Sequence, residues 1–236
     1  MRRRAPTGTA SATRPPLTRR RVLEAARALI EERGLPELTM RTVGQRLGVE
    51  AMSLYRYVPN REGLLDGVVE LVVDELYGDP EVQLVARDGW EDYLRRLAHG
   101  VRRIALAHPR VFPLVATRPP AAPWVRPPLR SLRWVEGFLQ GLTARGFDDE
   151  AAVHAYRAFT SFLLGHLLLE VAALGVNTGP VPDDQLAPVA PDPLDGYPLL
   201  ARLADALGED RSAAEFDESL DNLLDRLARY RAGDEP

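Results

Sequence analysis

The segment "SLYRY" at residues 53–57 combines a serine, two tyrosines and an arginine within five positions. An arginine side chain can bind O6 and N7 of one guanine together, and hydroxyl groups donate to phosphates or base edges. Leu54 and Val58 are four residues apart, so a helix here would bury both of them. The side chains this leaves available to a nucleic acid are Ala51, Met52, Ser53, Tyr55, Arg56 and Tyr57. Packing of Tyr55 against a neighbouring helix is the structural alternative for that residue.

Capping residues and apolar spacing place this short helix third in a series of four. Thr18, Thr39 and Asn60 are suited to cap helix N-termini, while Gly34 and Gly48 follow predicted helix ends. The predicted helices cover about residues 18–33, 40–47, 51–57 and 60–77. A helix, a glycine turn and a second short helix form a helix-turn-helix arrangement, in which the second helix of the pair enters the major groove of DNA.

The span "TMRTVGQRLGVEAMSLYRYVPNREGLLDGVVELV" resembles the N-terminal domain of the tetracycline-repressor (TetR) family of transcriptional regulators. The resemblance covers about residues 18–77, and "LGVEAMSLYRYVPNREGLLDG" is similar to the tetracycline-repressor branch in particular. One departure is Gly44, where the family tends to have alanine. A helix-interior glycine costs about 1 kcal/mol, so this departure bears on the stiffness of the second helix.

The resemblance implies that Tyr55 and Tyr57 contact the DNA backbone and groove and that Arg41 reaches the groove. Thr39 and Arg61 lie at predicted helix N-termini, where backbone N–H groups bind phosphate. For Arg61 a solvated surface charge is the alternative. The full set of predicted DNA-contacting residues is Thr39, Arg41, Ala51, Met52, Ser53, Tyr55, Arg56, Tyr57, Asn60 and Arg61.

The charge of the chain is divided unequally along its length. Residues 1–61 carry 13 Arg and five Glu, a net charge of +8, whereas the remainder carries a net −12, which together give the −4 of the whole chain. A basic unit joined to an acidic body predicts that the first part binds a polyanion, although a solvated charged face is the alternative. We expect a disordered basic tail at 1–17, a DNA-binding domain at 18–63 and a second domain at 64–236.

The rest of the chain is also helical in pattern, so the predicted fold class is all-α. Further helices are expected at about 89–107, 109–116, 127–145, 148–175, 195–207 and 211–232. The most apolar run, "FLLGHLLLEVAALGV", is shorter than a membrane span and contains His166 and Glu170, which predicts a buried helix rather than a membrane protein. The basic N-terminus lacks the apolar core of a secretion signal, which predicts a cytoplasmic location.

The resemblance implies that the acidic body binds a small-molecule effector and forms a homodimer. We expect the dimer interface on the helices at 148–175 and 211–232, where Phe216, Leu220, Leu223, Leu224 and Leu227 form one stripe. A monomeric core is the alternative for both helices. An aromatic cluster with a few polar groups is typical of a small-molecule pocket. The predicted pocket residues are His99, Arg102, Phe112, Thr117, Trp134, Phe138, Gln140 and His166.

Several classes of site are not predicted by this sequence. It contains no cysteine, and its four histidines lack the spacing of a metal site, so neither a metal nor another cofactor is expected. Phosphate-loop, nucleophile and zinc-protease motifs are missing. The leading hypothesis is therefore a ligand-responsive homodimeric repressor that binds a palindromic operator in double-stranded DNA. A constitutive DNA-binding protein without an inducer and an all-helical enzyme are the alternatives.

Overall fold

The computed structural model describes residues 16–80, 82, 89–118, 124–127, 131–177 and 194–232. Regular structure in these residues is helical and includes no strand, which confirms the predicted all-α class. The predicted basic tail lies almost entirely outside the described residues. The α-helices are α1 (Arg19–Arg33), α2 (Met40–Leu47), α3 (Ala51–Leu54), α4 (Arg61–Gly78), α5 (Trp90–Ala107), α6 (Phe112–Thr117), α7 (Leu132–Thr143), α8 (Asp149–Ala173), α9 (Pro198–Gly208) and α10 (Ser212–Ala232).

The three predicted N-terminal caps are confirmed. Thr18 accepts a hydrogen bond from the Arg21 backbone N–H, and Asn60 accepts one from Gly63 at 2.8 Å. Thr39 and Thr42 form a reciprocal capping pair at the start of α2. Each cap satisfies backbone donors that the first helical turn leaves unpaired, which fixes where these helices begin.

The structure differs from the predictions at Gly34 and at the end of the third helix. Gly48 makes the predicted turn after α2 and is left-handed (φ 66°, ψ 38°). The left-handed cap was expected at Gly34 instead, and there the prediction is wrong. Gly34 also has positive φ, but its ψ of 167° is extended, because the chain passes directly into a single 3-10 turn at Leu35–Glu37. The third helix is shorter than expected and ends at Leu54. Residues 55–57 form a turn, and the Val58 N–H donates to the Leu54 carbonyl at 3.1 Å.

Helices α1 to α4 enclose the first of two hydrophobic cores, which we call the N-terminal core. Its centre includes Ile30, Leu54 and Leu64, all with no exposed surface. Val111 and Leu114, which flank the start of α6, also belong to it. Most buried residues of α4 lie in this core, whereas Leu76 near the C-terminal end of α4 lies in the second. The fourth helix is therefore shared by both parts of the chain.

The second core, here called the body core, is built mainly by α5, α7, α8 and α10. The leucine stripe of α10, with Phe216, is buried inside this core within a single chain. The prediction that this stripe forms the dimer interface is therefore wrong. Helical periodicity shows that a face is buried but not which partner covers it. The structure leaves apolar surface exposed elsewhere, on α8 at Val153 and Leu169.

Helix α9 has no buried residue in the described chain. It is amphipathic, and its apolar side chains remain open to solvent together with those of the preceding turn. The exposed residues are Leu194, Tyr197, Leu199, Leu200, Leu203 and Leu207. A group of exposed apolar residues of this kind is characteristic of an interaction surface.

Candidate DNA-contact surface and apolar cavity

Helix α3 and the turn that follows it present an exposed polar and aromatic surface. Met52 is 76% exposed, Tyr55 is 46% exposed and Arg56 is exposed, whereas Leu54 and Val58 are fully buried beneath them. The sequence-based orientation of this segment is confirmed. Tyr57 is half-buried against the N-terminal core, so its ring also has a packing role. Ala51 and Ser53 are half-buried on the same short segment.

The approach of α2 to α3 depends on Gly44. A Cβ atom at Gly44 would lie 2.9 Å from the Val49 carbonyl oxygen and 3.3 Å from the Ala51 nitrogen. The Gly44 carbonyl accepts a hydrogen bond from the Val49 N–H at 2.9 Å. The lack of a side chain therefore lets the turn before α3 pack directly on α2. In the sequence, only the glycine at a position where the family tends to have alanine indicates this packing role.

The predicted contacts at the starts of α2 and α4 have different surroundings. Thr39 and Arg41 are exposed at the start of α2. Arg61 donates from Nε to the Leu38 carbonyl at 2.9 Å and from Nη2 to the Leu35 carbonyl at 3.2 Å. Its guanidinium thus ties the start of α4 to the 3-10 turn before α2. The side chain is also 42% exposed, so a phosphate contact by Arg61 stays a prediction.

An apolar cavity lies between α4, α5, α6, α7 and α8. The space within it that the centre of a water-sized sphere can reach is about 70 Å³. Two hydroxyl-bearing side chains, Ser131 and Thr160, interrupt a lining that is otherwise hydrophobic. The described lining residues are Val69, Val72, Val73, Leu76, Val101, Ile104, Phe112, Val115, Ser131, Trp134, Thr160, Leu163 and Leu164.

A second cavity, with about 210 Å³ by the same measure, adjoins the first and shares Leu76 and Trp134 with it. The Trp134 ring stacks on Phe138, with centroids 5.2 Å apart and planes 16° from parallel. Tyr93 lines this cavity, and burial raises the pKa of its hydroxyl to about 12. The phenol is therefore neutral at physiological pH, and its hydroxyl lies 3.4 Å from the Gly137 carbonyl.

Three of the eight predicted pocket residues line these cavities, namely Phe112, Trp134 and Phe138. Two of the others, Arg102 and His99, lie beside carboxylates of this chain. Arg102 donates to the carboxylate of Glu170, which is 8% exposed. His99 lies 3.6 Å from the Asp217 carboxylate. The prediction that Arg102 and His99 face a ligand is therefore wrong for both cavities.

The remaining three predicted pocket residues also have other neighbours. Thr117 is exposed and donates to the Pro113 carbonyl at 2.7 Å. Gln140 is exposed and donates to a Glu136 carboxylate oxygen at 2.6 Å. His166 packs edge-on against the Phe216 ring in the body core. None of the three lines either cavity, whereas Thr160, which sequence reasoning missed, lines the first.

The described part of the chain lacks two further features. There, no three His, Cys, Asp or Glu residues are grouped so that they could hold a metal ion. Of the helices described, none combines the length and hydrophobicity needed to cross a membrane.

Family comparisons match both parts of the chain. The family described as bacterial regulatory proteins, tetR family, matches residues 22–68, and the tetracyclin repressor-like C-terminal domain matches residues 84–230. The second match alone covers more than half of the chain. The chain belongs to the TetR family. The match at 22–68 contains the exposed surface of α3.

Two relatives and two solved structures show the extent of this similarity. The chain is 30% identical to the tetracycline repressor protein class A from transposon 1721 of Escherichia coli over 89% of this chain and 90% of that one. It is 29% identical to an HTH-type transcriptional regulator of Saccharopolyspora erythraea over 68% of this chain and 64% of that one. A crystal structure of a possible TetR family transcriptional regulator from Streptomyces coelicolor A3(2) aligns with 30% identity and a TM-score of 0.69, covering 90% of this chain and 99% of that one.

The second structure is that of the Streptomyces coelicolor TetR family protein ActR in complex with (S)-DNPA. It aligns with 25% identity and a TM-score of 0.65, over 90% of this chain and 98% of that one. These comparisons place this TetR-family chain among transcriptional regulators.

A buried arginine joins the two parts of this TetR-family chain. Arg118, directly after α6, donates to Glu62 at 2.8 Å and also to Asp66, and both carboxylates lie in the first two turns of α4. The Arg118 side chain is 11% exposed. Asp66 is 21% exposed, so water screens its pair with Arg118 less than it screens an exposed pair, whereas Glu62 is 63% exposed. Both carboxylates hold the end of α6 to the start of α4.

A second polar junction joins α1, α4 and the turn after α5. His108 Nε2 lies 3.0 Å from a Glu75 carboxylate oxygen, and Arg27 pairs with the same carboxylate. Glu31 lies 3.8 Å from the other imidazole nitrogen. Burial raises the pKa of the Glu31 carboxyl, an effect that the nearby His108 and Arg110 oppose.

Proposed function

We propose that this protein is a ligand-responsive transcriptional repressor that binds a palindromic operator as a homodimer. The observation that carries the proposal is the position of α4. Its first turn follows the exposed surface of α3, and four of its later residues line the apolar cavity, namely Val69, Val72, Val73 and Leu76. A molecule in the cavity would contact the same helix that supports the DNA-contact surface.

The DNA-contact role is assigned to the predicted residues of α2, α3 and the start of α4. Arg56, with its exposed side chain, is suited to a bidentate contact with guanine. Met52 is suited to an apolar contact with a thymine methyl group. Thr39, Arg41, Asn60 and the tyrosines then fix the orientation through the phosphate backbone, and Arg61 acts by holding α4 in place.

The homodimer proposal is supported by apolar surface that a single chain leaves open. Leu169 on α8 is 74% exposed, and Val153 on the same helix is 41% exposed. An alanine Cβ at Gly165, between them, would meet no described atom within 4 Å. We place the interface on this row of α8, with the apolar side of α9 as additional surface. Two recognition segments related by a two-fold axis would read a palindrome.

Control by a small molecule follows from the cavity and from the ligand complexes of related structures. ActR holds (S)-DNPA in a structure that aligns with this chain over most of its length. A ligand lowers operator affinity only if it prefers a dimer whose recognition segments no longer match the groove. A regulator of this kind acts in the cytoplasm and has no catalytic activity. Its DNA-binding domain covers residues 18–63, and the second domain begins at residue 64.

The proposal is tested by coupling between the two kinds of binding. Compounds that bind the full-length protein without DNA are first found by equilibrium dialysis, and each is then titrated with and without operator. Coupling of about 1–3 kcal/mol is expected, and it must be the same in both directions. Failure of every binding compound to change operator affinity would overturn the inducer part of the proposal.

A further inference from the structure

One hydroxyl group of the apolar cavity has no hydrogen-bond partner among the described residues. Thr160 lies on α8, is 2% exposed and lines the cavity. Its Oγ1 atom is buried and makes no hydrogen bond within the described part of the chain. Buried polar side chains are nearly always paired, so an unpaired hydroxyl in a cavity wall requires an explanation.

Other helical threonines in this chain satisfy their hydroxyl groups locally. Thr117 donates to the Pro113 carbonyl at 2.7 Å, and Thr143 donates to the Leu139 carbonyl at 3.1 Å. Both bonds reach back four residues along the same helix, which is the usual arrangement for a threonine in a helix. Thr160 makes no such bond although it is the most buried of the three. Its hydroxyl group therefore keeps an unused hydrogen-bond donor beneath the surface of the cavity wall.

The other hydroxyl in the cavity lining already has a structural partner. Ser131 Oγ accepts a hydrogen bond from the Trp134 backbone N–H at 3.2 Å and so caps α7. The described lining contains no Asp, Glu, His, Lys or Arg. A charged ligand group would lose its hydration there without gaining an opposite charge, which is strongly unfavourable. The lining therefore selects against ions.

The aromatic residues indicate the shape of the ligand. Trp134 and Phe112 contribute ring surfaces to the wall, and Trp134 is held in place by stacking on Phe138. A planar ring system can pack against such surfaces with little loss of conformational freedom. Branched aliphatic side chains of α4 and α5 form much of the remaining wall.

We infer that the effector is a neutral, planar aromatic compound with a carbonyl or hydroxyl group, and that Thr160 binds this polar group. The inference rests on the proposed function, because it takes this cavity to be the effector site. Thr160 Oγ1 lies beneath the apolar lining, so the ligand reaches it through small shifts of neighbouring side chains. Apolar contacts hold the ligand in the cavity, and the Thr160 hydroxyl determines its orientation.

Two matched probes test the inference on the full-length protein without DNA. 9-Fluorenone and fluorene share one ring system, and fluorenone alone carries a carbonyl acceptor. Their dissociation constants are measured by equilibrium dialysis with the native chain and with Thr160→Val, Thr160→Ser and Thr143→Val. We expect Thr160→Val to weaken fluorenone binding by about three- to tenfold, the usual range for one net hydrogen bond. Fluorene binding should not weaken, Thr160→Ser should restore fluorenone binding, and Thr143→Val should resemble the native chain.

Further measurements locate the probes and test their charge. Val73→Trp places an indole in the cavity and should abolish binding of both probes, while 9-oxofluorene-2-carboxylate should bind the native chain more weakly than fluorenone. The inference is overturned if fluorenone fails to bind the native chain, if Thr160→Val affects the two probes equally, if Val73→Trp has no effect, or if the carboxylate binds as tightly. Because no DNA is present, failure of operator binding would overturn the proposed function and leave this result standing.

Discussion

Arg118 and Glu62 lie 2.8 Å apart, from Nη1 to Oε2, across the contact between the end of α6 and the start of α4. Asp66, one turn further along α4, binds the same guanidinium. Phe112 and Val115 of α6 line the cavity, so the helix that carries Arg118 to α4 also meets a bound ligand. This arrangement provides a direct physical connection between the cavity and the DNA-contact surface.

Replacing Arg118 with methionine should uncouple ligand binding from DNA binding. The ligand should bind with nearly native affinity, whereas the coupling of about 1–3 kcal/mol should fall towards zero. Operator affinity with and without saturating effector measures this change. Arg133→Met is the matched control, because Arg133 pairs with Asp74 on α4 but both side chains are more than 60% exposed. Full coupling in Arg118→Met would show that α6 does not act through this arginine.

Arg56 and Arg61 should make different contributions to DNA binding. Arg56→Ala should cost about 1–3 kcal/mol and relax the preference at one base position, because we assign the exposed guanidinium of Arg56 to a base contact. Arg61→Ala should weaken all sequences alike and also lower the free energy of unfolding, because Arg61 donates to the Leu35 and Leu38 carbonyls. Base preference is measured with single-substituted operators and stability by urea denaturation. Unchanged base preference in Arg56→Ala would contradict this assignment.

The α8 surface predicts the effect of a charge at Leu169. Leu169→Asp should convert the homodimer to a monomer and reduce operator affinity, since a buried aspartate at the interface would lack a partner. Sedimentation equilibrium of the variant and the native chain measures the change. Leu106→Asp is the control, because Leu106 is an exposed leucine of α5 outside the α8 row. A stable dimer of Leu169→Asp would place the interface on a different surface.

Glu31 predicts a pH-dependent contribution to stability. Its raised carboxyl pKa means that the folded chain holds the proton more tightly than the unfolded chain, so stability present below the ordinary pKa of 4.5 is lost as pH rises through the raised value. Glu31→Gln cannot ionise and should therefore be more stable than the native chain near neutral pH, with the difference vanishing below about pH 4.

The neighbouring residue Glu32 supplies a control of opposite sign. A hydrogen bond from Arg46 lowers the pKa of the Glu32 carboxyl, so Glu32→Gln should lose stability near neutral pH. Urea denaturation of all three proteins across this pH range compares them. If Glu31→Gln is less stable than the native chain at neutral pH, attraction to His108 outweighs the burial of Glu31.

The sequence predicted features that depend on neighbours along the chain. Thr39 and Asn60 were recognised as caps because the groups they bind lie three residues away. The spacing of Leu54 and Val58 similarly indicated which face of α3 is exposed. Interactions between residues that are close in the sequence therefore determine most of the helix boundaries.

The pocket depended on contacts between distant residues, and there the sequence was less informative. Arg102 was assigned to the ligand, but its partner Glu170 is 68 residues away. The leucine stripe of α10 indicated a buried face without showing that α5 and α8 of the same chain cover it. Thr160 was overlooked because a threonine in an apolar helix is ordinary. Its signal was its place among apolar residues, and its missing backbone bond was visible only in the structure.

Selection of DNA from a random-sequence pool by the full-length protein tests the central claim most directly. One short recognition segment reads few base pairs, so a dimer must read two copies of the same half-site. We expect the selected DNA to be a palindrome whose half-sites lie about one helical turn apart, or somewhat more. Selected sequences without two-fold symmetry, or no enrichment over the starting pool, would contradict a homodimer that recognises its operator through α3.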